Sequence, residues 1–159
     1  MDREISPEQL ARLSVVEVPD GVIGNIHQFK NFDPTRILHF QLKEDRLLLY
    51  MEEAMRLEAI KEFRSAIETF RDEVEQGVSP EVEVFHSFIY NEDFSKLLFI
   101  VDRKEFEQDI TAEMIEISIV EDAIKYQIYS HKNIGVQVNY QDAETKEIFE
   151  QHVYPETWE

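Results

Sequence analysis

The chain has 159 residues, enough for one domain whose core takes roughly two-thirds of the unfolded surface out of water. A 43% hydrophobic share with eleven Phe and six Tyr excludes intrinsic disorder, and the lack of cysteine excludes disulfides, thiolate metal sites and a thiol nucleophile. The formal charge of -18, from 34 acidic against 16 basic residues, disfavours direct binding of nucleic acid or anionic lipid and favours a basic protein partner.

The N-terminal residues show no basic-then-apolar leader pattern, and no run of about eighteen apolar residues occurs, so a cytoplasmic protein that does not engage a membrane is expected. Ser6-Pro7-Glu8-Gln9 is a helix start: the Ser6 hydroxyl serves the amide three residues on while Gln9 reaches back. A short helix over about 7–13 follows. Val15, Val16 and Val18 favour extended chain, and Pro19-Asp20-Gly21 is a turn, which together predict a first hairpin continuing through Val22–Phe29. After a loop around Asp33-Pro34, Ile37 to Leu42 alternates with period two. Lys43-Glu44-Asp45 turns that strand into a second one, Arg46 to Met51.

From Glu53 to Gln76, the residues Leu57, Ile60, Phe63, Ile67, Phe70 and Val74 recur at steps of three or four. They predict one apolar stripe on a long helix, with Glu52–Arg56 and Arg64–Glu68 paired on the outer face. Gly77 ends the helix, and Ser79-Pro80 bars its continuation. A hairpin follows around Asn91-Glu92-Asp93, with Val82–Tyr90 and Phe94–Asp102 as its arms. A second long helix is expected over 111–131, capped by Asp109 or Thr111, its stripe formed by Ile110, Met114, Ile117, Val120, Ile124 and Ile128. Ile134–Gln141 and Lys146–Tyr154 close the chain as paired strands, leaving a tail over 155–159. The expected class is α+β: a mainly antiparallel sheet of β-hairpins packed against two long amphipathic helices, with a duplicated ββα unit as one arrangement that fits this order of elements.

No catalytic signature stands in the sequence. The five histidines fall singly, the four glycines form neither a phosphate loop nor a dinucleotide fingerprint, and no GxSxG elbow occurs. No catalytic, metal or cofactor residue is assigned. The first expectation is therefore a non-catalytic acidic interaction module, acting as an inhibitor, immunity factor, adaptor or nucleic-acid mimic toward a basic protein. Its partner surface is expected in the acidic run, at Glu105, Glu107, Asp109, Glu113, Glu116, Glu121 and Asp122, with Tyr154 and Trp158 as aromatic anchors. A second expectation is an enzyme or ligand-binding domain whose site gathers the strand histidines His39, His86 and His152 with a carboxylate. A third is a homo-oligomeric structural or assembly component, joined through a helix face or an open sheet edge.

Overall fold

The computed structural model describes residues 6–77 and 83–156. Helix α1 (Pro7–Arg12) begins with the expected capping box, Ser6 Oγ accepting from Gln9 N while Gln9 Oε1 accepts from Ser6 N. Strand β1 (Ser14–Pro19) does not fold back on the segment after it. Instead the chain from Asp20 curls into a compact loop: Asp20 Oδ1 accepts from Ile26 N at 3.1 Å, Gly21 N donates to Gly24 O, and Asn25 caps a single 3-10 turn over Ile26–Gln28. Two of its apolar residues, Val22 and Ile26, are buried as plugs, so the segment that looked like a strand closes locally and leaves β1 free to pair elsewhere.

That partner is β3 (Arg46–Met51), which also forms the expected hairpin with β2 (His39–Leu42). A three-stranded antiparallel sheet results, in the order β1-β3-β2. The second sheet holds β4 (Phe85–Tyr90), β5 (Lys96–Val101), β6 (Val136–Asp142) and β7 (Ile148–Tyr154) in that order. Its β4–β5 and β6–β7 pairs are the expected hairpins, while β5 and β6 run parallel and are joined by a helical crossover. The α+β class is as expected, with the strands divided between two sheets rather than gathered in one.

Helix α2 (Glu53–Gln76) ends at Gly77, whose φ of 61° is the left-handed value that favours glycine. Ser79-Pro80 and Val82 lie outside the described residues. Ile67, Phe70 and Val74 are buried as the stripe predicts, but Leu57 is exposed, and Arg56 turns inward to donate to Tyr129 O at 2.5 Å. The two expected i,i+4 ion pairs do not form: Arg56 binds Glu53, and Arg64 lies over the rings of Phe94 and Tyr126 at 4.8 and 4.9 Å. An aromatic ring set and a buried backbone carbonyl reward an arginine more than a solvated carboxylate does. Phe70 meets Phe85, Phe88 and Phe99 edge-on at 5.4, 5.2 and 6.2 Å, fastening α2 to the second sheet.

The crossover comprises α3 (Arg103–Gln108) and α4 (Ala112–Tyr129). α4 packs on α2 and reaches both sheets through β1 and β6, so buried residues of both layers form one continuous cluster. Val120, Ile124 and Ile128 are buried as expected, but the first turns rotate away from the predicted stripe. Ile110 and Met114 are 88% and 70% exposed, whereas Ala112, Glu116, Ile119 and Ala123 are buried. Gln127 is buried with every polar atom used, donating to Asp93 O and Gly135 O and accepting from Gly135 N.

Candidate functional site

The rotation of α4 places a carboxylate where a hydrophobe was expected. Ala112 and Glu116 stand four residues apart on one helix face, and the small Ala112 side chain lets that face approach β6 and β7. On β7 the period of two directs Glu150, His152 and Tyr154 to a single face, while the β6–β7 register sets Tyr140 opposite Glu150 and Val138 opposite His152. Glu116, 1% exposed, therefore meets three donors: Tyr140 Oη at 2.6 Å from Oε1, His152 Nδ1 at 2.7 Å from Oε2, and Tyr154 Oη, also on Oε2. With these bonds the buried charge retains hydrogen-bonding partners in place of the water it loses. Burial pushes both tyrosine hydroxyls well above the ordinary phenol range, and the adjacent Glu116 carboxylate raises them further.

Above this cluster lies an open cleft of about 390 Å³, lined by Phe106, Ala112 and Tyr140, by His152, and by five carboxylates: Glu107, Asp109, Glu113, Glu116 and Glu150. Phe106 of α3 packs on Tyr140, ring centroids 4.3 Å apart, and forms the apolar wall. The loop between α3 and α4 is set by Asp109, whose Oδ1 accepts from the Thr111 hydroxyl and amide, both at 2.7 Å, and from Ala112 N at 3.2 Å. The Thr111 hydroxyl, with the two amides, holds the Asp109 carboxyl below its ordinary value. His152 stands between two carboxylates, its Nε2 lying 3.3 Å from Glu150 Oε2. Among the described residues no Lys, Arg, Ser or Thr lines the cleft. Among the described residues no group of three His, Asp or Glu is placed to hold a metal ion.

Compared with protein-family models, with curated proteins and with solved structures, the chain matches none.

Of the sequence-predicted surface residues, Glu107, Asp109, Glu113 and Glu116 come together in the cleft. Glu105 is exposed on α3 outside it, Glu121 is exposed farther along α4, and Asp122 is half-buried there with its carboxyl pushed up by burial. Two expectations are corrected. Glu116 and Tyr154 are buried and bonded to each other, so neither can serve as a contact on an open surface. Trp158 lies outside the described residues. The three strand histidines do not converge: His39 belongs to the first sheet, tilted against Tyr50 at 5.6 Å, and His86 is exposed on β4. β4 and β7 are opposite edges of the second sheet, three strand spacings or about 14 Å apart. Tyr140 and Glu150 were missed, although the polar and aromatic alternation Glu150, His152, Tyr154 on a strand is visible in the sequence. Among the described residues no helix is long and apolar enough to cross a membrane.

Proposed function

We propose that this chain is an acidic, non-catalytic interaction module that recognises a basic segment of a partner protein at the α3–α4–β7 cleft. The observation that carries this reading is the exposure of Ile110 and Met114, each following directly on an acid of the cleft lining, Asp109 and Glu113. Large apolar residues held in water beside an acidic hollow fit a partner segment that carries Lys or Arg next to an apolar side chain. The cations of the partner enter between Glu113 and Glu150, beside the Arg103–Glu107 ion pair, and its apolar residue covers Met114. Phosphate backbones are repelled from the same hollow.

The test is a matched pair of double variants. Glu113→Lys/Met114→Ser alters the cleft margin, and Glu44→Lys/Leu42→Ser makes the same change of charge and apolarity on the β2–β3 hairpin, where Leu42 is also exposed. Wild type and the hairpin variant should retain the same basic protein at low salt and release it at high salt, while the cleft variant retains none. Equal loss in both variants, or no basic protein retained by any, overturns the reading.

One observation favours a second reading, a ligand-binding or acid–base site: Glu116 orients the imidazole of His152 through Nδ1, and its Nε2 borders the cleft. Turnover abolished by His152→Gln and preserved in His39→Gln would select it over the first.

A further inference from the structure

The first sheet has a cavity of its own, of about 540 Å³, within the size range usual for small-molecule sites. Val18 of β1 with Leu47 and Leu49 of β3 form its floor, Phe63 of α2 and Tyr129 of α4 form a wall, and the loop over 23–32 forms the lip. The lip is a built element. Asp20 and Asn25 accept from its backbone, Phe29 packs edge-on against Phe40 at 5.1 Å, and Asn31 Nδ2 donates to Ile37 O at 2.9 Å. At the mouth Phe32 is 87% exposed.

The charge of the lining runs against the rest of the molecule. The chain has 34 acidic residues, yet among the described residues none lines this cavity, whereas Lys30 and Lys125 both do. Most arginines are committed elsewhere: Arg36 to Glu62, Arg46 to Glu17, Arg56 to Glu53, Arg71 to Asp72 and Arg103 to Glu107. Among the described residues neither Lys30 nor Lys125 closes an ion pair, and Asp122, one turn before Lys125 on α4, feels its charge without reaching it. Two unpaired ammonium groups over an apolar floor, with acids kept out, complement a molecule that has an apolar body and an anionic head.

We propose that this cavity binds a small amphipathic anion, a fatty carboxylate of medium chain length, with its chain over Leu47, Leu49 and Phe63 and its carboxylate between Lys30 and Lys125. The burial of methylene groups supplies most of the affinity, and charge-assisted hydrogen bonds select the anion over a neutral analogue. The site is independent of the acidic cleft.

Calorimetric titration of the full chain with decanoate, kept below its micellar range, tests it against decanol, which has the same chain and no charge. Saturable binding at one site is expected, tighter for decanoate than for decanol. Lys30→Met and Lys125→Met should each weaken decanoate by roughly tenfold while leaving decanol unchanged, as the loss of one charge-assisted bond implies. Glu113→Lys/Met114→Ser should bind decanoate as wild type does, so failure here and failure at the cleft are read separately. No saturable binding, equal affinity for decanol, or lysine variants that bind decanoate unchanged each overturn the proposal. So does a concentration-dependent dimer whose formation abolishes decanoate binding, since a second copy would then occupy the cavity.

Discussion

The acidic cleft and the lysine-lined cavity sit on one polypeptide with opposite local charge: among the described residues, one is lined by five carboxylates and no Lys or Arg, the other by two lysines and no carboxylate. They also differ in how the charge is held. In the cleft the deepest charge, Glu116, is part of the packing, tied to two strands through Tyr140, His152 and Tyr154. In the cavity Lys30 is exposed and Lys125 half-buried, and neither is bound into the fold. A net charge of -18 describes neither place. Electrostatic character is local because charges separated by more than a Debye length are screened, so a function inferred from net charge must be located before it can be tested.

The contrast predicts graded effects on stability. The largest should follow Glu116→Ala, which leaves two buried hydroxyls and an imidazole nitrogen without their acceptor and should cost about 3 kcal/mol in urea denaturation. Glu116→Gln, which keeps an acceptor oxygen, should cost less than half of that. If both variants denature like wild type, Glu116 is not the keystone of the cluster.

Alkaline pH gives the next effect. Folded Tyr140 and Tyr154 hold their protons above the ordinary phenol range, because burial and the neighbouring Glu116 disfavour phenolate. Above pH of about 10 the unfolded chain releases these protons and the folded chain does not, so the unfolded state binds fewer protons and stability falls as pH rises. Circular dichroism should show stability intact below that point and declining beyond it. Tyr140→Phe should flatten the decline, at a cost of about 1 kcal/mol at neutral pH from the lost hydrogen bond.

Asp109→Ala should remove about 1 kcal/mol by uncapping α4. Its sign with pH is opposite to that of the tyrosines. A carboxyl held below its ordinary value contributes stability that is present above pH of about 4 and lost as the pH falls further, so wild type and variant should converge in acid. The smallest effect belongs to the other region: Lys30→Met and Lys125→Met should each leave stability within about 0.5 kcal/mol, as surface substitutions without a buried partner do. A large loss there would mean that the lysines are structural and would weaken the contrast between the two regions.

Local physics made much of this molecule readable in advance. The capping box at Ser6, the stop at Gly77, the stripe of Ile67, Phe70 and Val74, and the β2–β3, β4–β5 and β6–β7 hairpins rest on short-range signals, and each is found in place. The candidate site was only half visible. Four of its five acids lie in one run of sequence, but Tyr140, Glu150 and His152 come from β6 and β7, and no local pattern states which helix face those strands will meet.

Two decisions belonged to the tertiary structure alone. The first is the partner of β1, which a loop plugged by Val22 and Ile26 released to pair with β3, a choice made by non-local hydrogen bonding. The second is the face of α4. Its first half carries apolar side chains nearly all round, at Met114, Ile115, Ile117, Ile119 and Val120, so hydrophobic periodicity alone selects no single side. The side that is buried is the one where Glu116 finds Tyr140, His152 and Tyr154. A fully bonded carboxylate can be buried there, while Ile110 and Met114 are left in water at the mouth of the acidic cleft.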